Sequence, residues 1–290
     1  MHRQNSTQSE DDPVHRAIPD SMDAAIVARI DACLAAIGQE QRVAIPLAIE
    51  SGSRAWGFPS PDSDYDCRFI YVRSKREYLS LWPQRDVIEA PMDDVLDVNG
   101  WDLAKALKLL LKGNAVVIEW LTSPISYGTD PRFKDEFTKL ARDVADRTQI
   151  GRHYLHLGER QRRTHFKDGK KVPLKKIFYA LRPAAALRWL RCHPGDAVAP
   201  MHFQTLMEQC APPADVAEFV RDLIARKAQT RELGAEPLSE PVRRFIDTEF
   251  RDAQDLFEKT ARTPDPEARR LCDEFHLRML ERFDHASGAD

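Results

Sequence analysis

Two short groups of polar residues, separated by ten positions, have the residue types that metal-dependent phosphate chemistry requires. Gly52 and Ser53 follow an apolar run, and Asp64 and Asp66 stand at the start of the next one. Aspartates two apart on a strand point to the same face, and such carboxylates can hold hard cations that also ligate phosphate oxygens. A Gly-Ser turn can bring backbone N–H groups close to those phosphates. This pattern predicts metal-dependent chemistry on a nucleoside triphosphate.

A metal site of this kind commonly needs a third carboxylate, and Asp97 is the best candidate. It lies between Leu96 and Val98 on a predicted strand, so its side chain can align with the first pair if the two strands are neighbours. Asp93 and Asp94 are interpreted as a solvated turn, and Asp102 as the first residue of a helix. We therefore predict a magnesium site, or one for manganese, made by Asp64, Asp66 and Asp97.

The first half of the chain alternates helical and strand patterns. Apolar residues at spacings of three and four predict amphipathic helices, whereas short apolar or β-branched runs predict strands. The predicted elements are a helix from Asp20 to Gln39, strands over Val43–Ile49, Asp66–Val72, Asp86–Ala90 and Val95–Val98, a helix over Asp102–Lys112, and a helix capped by Asn114 that ends before Ser123-Pro124.

After Tyr127 the pattern becomes helical, with no further strand predicted. The predicted helices are Phe133–Asp146, Ile150–Phe166, Leu174–Cys192 with a kink at Pro183, Phe203–Gln209, Val216–Leu233, Pro241–Thr260 and Pro266–Phe283. The fold class is thus α+β: a small mixed β-sheet domain with flanking helices, followed by an all-helical domain. The predicted boundaries are a disordered tail over residues 1–20, a catalytic domain over 21–130 and a helical domain over 131–290.

Composition excludes several classes of protein. The 290 residues have a net charge of only −3, so the chain as a whole is not a polycation. The five cysteines are scattered and form no C-x-x-C motif, which favours free thiols in a reducing compartment, the cytoplasm. We expect no membrane association, because no apolar run approaches membrane-spanning length.

Positive charge is concentrated in one segment, Arg160–Arg191. It contains eleven lysines and arginines and one acidic residue, a net charge of +10 that leaves −13 for the rest of the chain. A solvated helical face with apolar residues in the core explains the aromatic residues of this segment but not its charge. Two functional interpretations remain open: the segment closes over a triphosphate, or it follows the backbone of a nucleic acid.

The spacing of Gly52-Ser53, Asp64-Tyr65-Asp66 and Leu96-Asp97-Val98 resembles the signature of DNA polymerase beta-type nucleotidyltransferases. The run Gly-Ser-Arg-Ala-Trp-Gly, followed by Ser-Asp-Tyr-Asp, resembles more narrowly a predicted-nucleotidyltransferase branch associated with bacterial RNA repair. Further similarities to that branch are Asp97–Asp102, Asn114, Glu119–Leu121, Ser123-Pro124 and Lys175–Pro183. The resemblance covers roughly residues 45–245.

The resemblance implies a role for each site residue. Gly52 and Ser53 would bind the β- and γ-phosphates, Asp64 and Asp66 the magnesium ions, and Asp97 the catalytic ion. Arg54 would lie beside the phosphates, with a solvated loop arginine as the alternative.

From the helical domain, Lys176 would contact the triphosphate, with Lys175 as the next candidate; Tyr179 lies on the same helical face. Arg68 is either a phosphate ligand or an ion-pair partner of the aspartates. For an RNA end, the candidate residues are Arg160, Arg162, Arg163, Lys170 and Lys171.

The predicted function is magnesium-dependent transfer of a nucleoside monophosphate from a nucleoside triphosphate to a hydroxyl, an RNA end in the favoured interpretation, with release of pyrophosphate. Two alternatives stay open: nucleotidylation of a protein, and a catalytically idle module that binds nucleotide or RNA. Clustered carboxylates that repel one another argue against the idle module. The residues do not indicate which nucleotide is used, nor the oligomeric state.

Overall fold

The computed structural model describes residues 14–166, 171–230, 234–258 and 265–284. The strands are β1 (His15–Ala17), β2 (Ala44–Glu50), β3 (Tyr65–Val72), β4 (Val87–Glu89), β5 (Leu96–Asp102), β6 (Ser126–Thr129), β7 (Val172–Pro173) and β8 (Ala235–Glu236). The helices are α1 (Ala24–Glu40), α2 (Gly52–Ala55), α3 (Lys75–Tyr78), α4 (Leu103–Leu111), α5 (Ala115–Leu121), α6 (Pro131–Val144), α7 (Arg147–His165), α8 (Leu174–Cys192), α9 (Phe203–Cys210), α10 (Ala214–Gln229), α11 (Glu240–Ala253) and α12 (Pro266–Phe283), and a π-helical turn (Gln254–Glu258) follows α11.

Six strands form one mixed sheet in the order β1-β6-β2-β3-β5-β4. β3 and β5 are parallel, and the other neighbours are antiparallel. In sequence, α3 and β4 lie between β3 and β5. Because β3 and β5 run in the same direction, both strands begin at the same edge of the sheet. Chain segments far apart in sequence thus meet at that edge.

Each face of the sheet packs against a different set of helices. Cys67 and Phe69 of β3 belong to a minor core under α1, whereas Ile70 and Val72 belong to a major core shared with α4–α12. Because side chains alternate along a strand, the even-numbered residues of β3, among them Asp66, face the helical half. On β5 the same alternation puts Asp97 on that face, since Leu96 and Val98 belong to the minor core.

The major core runs without a break from the sheet into the helical half. It includes Leu47 of β2, Phe178 of α8 and Leu280 of α12. α7 and α8 pack side by side, and α8 continues through Pro183, which is buried inside it. The predicted division at residue 130 coincides with the gap between β6 and α6, but it stays a prediction of domain organisation. Within the described residues, no helix is both long and apolar enough to span a bilayer.

The α+β class is confirmed, and four details of the sequence prediction were wrong. His15–Ala17, within the predicted disordered tail, forms β1, while residues 1–13 of that tail lie outside the described residues. Ser126–Thr129 forms strand β6, which is too short to show a strand pattern in the sequence. Val172–Pro173 pairs with Ala235–Glu236 in a two-stranded ribbon, so residues 131–290 are not purely helical. The long helix predicted over Pro241–Thr260 changes to π-helical geometry at Gln254.

Candidate active site

Asp66 and Asp97 are direct partners in the parallel β3–β5 ladder. Both face the helical half, so their carboxylates lie side by side although 30 residues separate them in sequence. Asp64 stands one residue before β3 begins, and its side chain is exposed. The structure therefore brings two of the three predicted ligands together in one ladder position and puts the third at the rim of the same edge.

Gly52 lies in close contact with the Asp66 side chain. Its φ of +59° is in the left-handed region that favours glycine. A Cβ atom at this position would lie 2.0 Å from Asp66 Oδ2, and the neighbouring Ser51 amide donates to the Asp66 carbonyl oxygen at 2.8 Å. Only glycine permits this approach of the turn to the aspartate, which explains the residue type that the sequence pattern singled out.

Arg68 joins the two neighbouring carboxylates. Its Nη2 atom donates to Asp66 Oδ1 at 3.0 Å and to Asp97 Oδ2 at 2.7 Å, while its Nη1 atom donates to the Asp97 carbonyl oxygen at 2.9 Å. Burial, together with the charges of Asp97 and Asp64, raises the pKa of Asp66, and the Arg68 guanidinium opposes that rise. Of the two interpretations of Arg68, the structure shows the ion-pair partner.

Glu50 is a buried carboxyl behind the site that the sequence reasoning did not assign. Its Oε1 atom accepts a hydrogen bond from the Asp66 amide at 2.9 Å, and its Oε2 atom accepts one from the Tyr127 hydroxyl. Burial raises the pKa of Glu50 to about 7, although these two hydrogen bonds oppose the rise. The signal in the sequence was an acidic residue at the end of an apolar strand, directly before the Ser-Gly-Ser turn.

Arg54 holds the loop between the Gly-Ser turn and the aspartates. Its Nη2 atom donates to the Ser63 carbonyl oxygen at 2.6 Å and its Nε atom to the Asp64 carbonyl oxygen at 3.1 Å. The guanidinium also lies 3.8 Å from the centre of the Tyr65 ring. In the same loop, the hydroxyls of Ser53 and Ser63 are 2.9 Å apart. Arg54 therefore fixes the backbone next to Asp64 and is not a freely solvated loop arginine.

The helical half fixes the other side of this loop. The Phe58 ring stacks on Phe178 of α8 with centroids 4.1 Å apart, and a Cβ on Gly57 would lie 2.3 Å from His202 Nε2. Lys227 of α10 is buried and donates from Nζ to the Phe58 carbonyl oxygen at 2.5 Å. Burial, together with the nearby cationic side chain of Lys175, lowers the pKa of Lys227 to about 8.

Three predicted residues of α8 lie beside the loop that leads to the aspartates. Tyr179 is partly exposed, and burial together with the charges of Asp66 and Asp64 raises its pKa. Lys176 Nζ lies 4.8 Å from the centre of the Tyr179 ring, which meets Trp56 edge-on. Lys175 Nζ lies 3.6 Å from Asp62 Oδ2 in the loop. Tyr179 is thus close enough to the aspartates to feel their charge, and Lys176 lies next to it.

Arg182, one turn further along α8, has a structural role. It is buried, pairs with Glu119 Oε1 at 2.8 Å and lies over the Trp56 ring at 4.2 Å. The Tyr154 hydroxyl donates to the same Glu119 oxygen at 3.1 Å. Glu119 therefore ties α5 to α7 and α8.

Four other arginines of the basic segment are also paired. Arg188 and Arg191 both bind Glu249, which is buried in α11. Arg162 pairs with Asp247, and Arg163 pairs with Glu159 at 3.1 Å. The last two pairs border a cavity of about 370 Å³ between α7 and α11 that is separate from the aspartates. Much of the +10 charge is thus neutralised inside the protein. Arg160 and Lys171 are exposed, and Lys170 lies outside the described residues.

The carboxylates fit a divalent cation in part. Asp66 and Asp97 already share one cationic nitrogen, which shows that their oxygens converge on a common point. Oxygen ligands of this kind are the ones that Mg²⁺ and Mn²⁺ prefer. In the described parts of the chain, however, no three histidine, cysteine or acidic side chains are grouped closely enough to hold a metal ion, so Asp64 does not yet join the pair.

The mixed sheet, the Gly-Ser turn and the aspartates define the architecture of a DNA polymerase beta-type nucleotidyltransferase. Residues 26–277 match the model of the RNA repair pathway DNA polymerase beta family. The chain belongs to that family. It is also 39% identical over 214 residues to a Bacillus subtilis (strain 168) protein described as uncharacterized protein YcgL; the match covers 74% of this chain and 81% of that protein.

Proposed function

We propose that the protein transfers a nucleoside monophosphate from a nucleoside triphosphate to the hydroxyl of an RNA end, in a reaction that depends on magnesium. The observation that supports this most directly is the paired position of Asp66 and Asp97, with Gly52 in contact with Asp66. Mutually repelling carboxylates at the edge of a core are costly. A cluster of this kind is typical of sites whose substrate brings cations with it.

Each side chain has a distinct role in the proposed reaction. Magnesium bound by Asp64, Asp66 and Asp97 would polarise the α-phosphate and favour ionisation of the acceptor hydroxyl. Asp97 accepts the hydroxyl proton. The acceptor oxygen then bonds to the α-phosphorus while the α–β phosphoanhydride bond breaks, and pyrophosphate leaves with the electron pair. Gly52 and Ser53 bind the β- and γ-phosphates through the backbone amide and the hydroxyl.

The cleft wall supplies the remaining contacts in this proposal. Tyr179 lies near Asp66 and Asp64, and Lys176 lies beside its ring, so an ammonium and a partly exposed aromatic ring would be available to a triphosphate and its base. Arg54 keeps Asp64 in place through the loop carbonyls and lies near the phosphates. Because Lys175 already pairs with Asp62, Lys176 is the better triphosphate ligand.

The choice of RNA as acceptor is supported mainly by the family, whose description refers to an RNA repair pathway. Total charge supports it less than the sequence suggested, because five arginines of the basic segment are in ion pairs. Arg160, Arg163 and Lys171 stay exposed and can contact phosphates without loss of a buried partner.

The experiment is incubation with each α-labelled nucleoside triphosphate, Mg²⁺ or Mn²⁺, and either RNA or a cell lysate. We expect label on RNA and release of pyrophosphate, both lost in Asp66→Asn by about 1,000-fold or more. Asp143→Asn is the matched control, because Asp143 is an exposed carboxylate on α6, away from the site. Its rate should equal that of the wild type.

The other outcomes separate the alternatives. Label on protein in the lysate, with none on RNA, would redirect the proposal to protein nucleotidylation. Neither label nor pyrophosphate with any nucleotide would contradict catalysis and favour a module that only binds nucleotide or RNA.

A further inference from the structure

A single nitrogen atom occupies the position between the two paired carboxylates. Arg68 Nη2 lies 3.0 Å from Asp66 Oδ1 and 2.7 Å from Asp97 Oδ2. The second terminal nitrogen, Nη1, is held by the carbonyl oxygens of Cys67 and Asp97 at 3.0 and 2.9 Å. The Arg68 side chain is only 15% exposed, whereas Asp66 and Asp97 keep 29% and 34% of their side-chain surface, so the guanidinium is held from the protein side and the carboxylates stay open to solvent. Arg68 therefore acts as the cation of the site in this structure.

A divalent metal and this guanidinium cannot both bind the same oxygens. Mg²⁺ lies about 2.0–2.1 Å from its ligand oxygens. An ion bound to the same Asp66 and Asp97 oxygens would therefore lie close to Nη2. Two cations at such a distance repel each other strongly where water is scarce. Arg54 takes no part in this competition, because its guanidinium is bound to the carbonyl oxygens of the loop.

We propose that Arg68 is a resident counter-cation that competes with the metal for Asp66 and Asp97. This inference rests on the proposed function, since it requires that these aspartates bind a metal. With no metal present, Arg68 balances the negative charge of the two neighbouring carboxylates and holds them in register. Metal binding releases Nη2 from both oxygens, while the contacts of Nη1 with the Cys67 and Asp97 backbone keep the guanidinium beside the site. Arg68 thus lowers the affinity for free metal.

The test measures metal binding directly, without catalysis. Mn²⁺ affinity is determined by electron paramagnetic resonance of the free ion, with no nucleotide present, for the wild type, Arg68→Gln, Arg68→Lys and Asp66→Asn. We expect Arg68→Gln to bind Mn²⁺ about tenfold more tightly than the wild type, because the competing charge is gone. Arg68→Lys, which retains the charge, should stay within about threefold of the wild type. Arg132→Gln, an exposed arginine of α6, is the control and should change nothing.

A role limited to holding the carboxylates together gives the opposite result. In that case Arg68→Gln binds Mn²⁺ as weakly as the wild type or more weakly, and the inference is overturned while the metal site stands. If Asp66→Asn binds Mn²⁺ as well as the wild type does, the aspartates are not the metal site, and both the inference and the proposed function fail.

A second measurement is made on the wild-type protein and does not require that Arg68→Gln fold. In protein labelled with ¹⁵N-arginine, the Nε–H signal of Arg68 is assigned by its loss in Arg68→Lys and followed during titration with Mg²⁺. The signal should shift in proportion to metal occupancy. A signal that does not move when the site is saturated would overturn the inference even if Arg68→Gln failed to fold.

Discussion

The aspartate edge of the sheet and the basic segment of residues 160–191 are both highly charged in sequence, but their charges are compensated to different extents in the folded protein. At the aspartate edge, Asp66 and Asp97 lie side by side with one guanidinium between them, and Asp64 stands at the rim. In the basic segment, five arginines are bound to four carboxylates, so most of their charge is compensated. Uncompensated charge of one sign indicates a ligand, whereas compensated charge indicates structure.

The comparison shows what a charge pattern in a sequence can predict. The aspartates follow strand periodicity, so their common face can be read from local rules. The partners of the basic segment, such as Glu119 and Glu249, lie tens of residues away and follow no spacing rule. Charge density alone therefore predicted too large a free basic surface.

The largest effect is expected at the contact that gives the aspartate edge its geometry. Gly52→Ala adds a Cβ 2.0 Å from Asp66 Oδ2 at a φ of +59°, so the turn or the carboxylate must move. Displacement of a catalytic group by about 1 Å costs about 100-fold in rate. We expect a loss of that size in initial rates of pyrophosphate release. Gly195→Ala, where nothing lies within 4 Å of the added atom, is the control. Equal rates for both variants would contradict the importance of this contact.

The next effect tests the structural role of the basic segment. Glu249 is 2% exposed and binds both Arg188 and Arg191. Glu249→Gln leaves two guanidiniums without a charged partner, and we expect a loss of about 3 kcal/mol in the free energy of unfolding, at the low end for buried pairs because both arginines are partly exposed. Urea denaturation measures it. Glu267→Gln, in an exposed pair on α12, should leave the curve unchanged. A drop in RNA affinity with unchanged stability would reverse our assignment.

A smaller effect depends on pH and concerns Lys227, which holds the loop between the Gly-Ser turn and the aspartates. The pKa of Lys227 falls from 10.5 in the unfolded chain to about 8 in the fold because of burial. Between these values the unfolded chain binds the proton and the folded protein does not, so stability from this group rises with pH. Relative to Lys227→Met, the wild type should gain about 2 kcal/mol of unfolding free energy between pH 8 and pH 10. A constant difference across that range would show that Lys227 does not titrate in this window.

The smallest effect on stability is expected at Arg163, whose side chain is 80% exposed. Its exposed pair with Glu159 contributes less than about 0.5 kcal/mol to stability. A phosphate can replace that carboxylate, so Arg163→Ala should lower the slope of log affinity for RNA against log salt by about 1. Arg270→Ala, on α12 outside the basic segment, should leave the slope as it is. An unaltered slope in Arg163→Ala would remove this face from the RNA-binding surface.

Much of the site could be predicted from sequence because its residues follow strand and turn rules. Asp64 and Asp66 begin a strand, and Gly52 is the one residue type that tolerates both its φ and its contact with Asp66. The fold class followed from the change of periodicity near residue 130. The pairing of Asp66 with Asp97 was only conditional, since it required that two separate strands be neighbours.

The features that could not be predicted from the sequence depend on contacts between distant segments. Glu50 has no local signal apart from an acidic residue at the end of an apolar strand, and its partner Tyr127 lies 77 residues away. In the sequence, nothing distinguishes Lys227 from the other charged residues of its amphipathic helix. Its contact with Phe58 can be seen only in the folded structure. β1 and β6 were missed because each is only three or four residues long, too short for a strand pattern to stand out in the sequence.

The contacts that hold the Gly-Ser loop have a consequence for synthesis of the protein. Lys227 is 169 residues downstream of Phe58, and Phe203, whose amide donates to the Trp56 carbonyl oxygen, is almost as distant. Domains generally fold from the N-terminus as the chain emerges, but such long-range contacts form only once both segments are available. A nascent chain that ends before α10 can pair β3 with β5 but lacks one wall of the loop. The loop beside the aspartates is therefore completed late, when translation has passed residue 227.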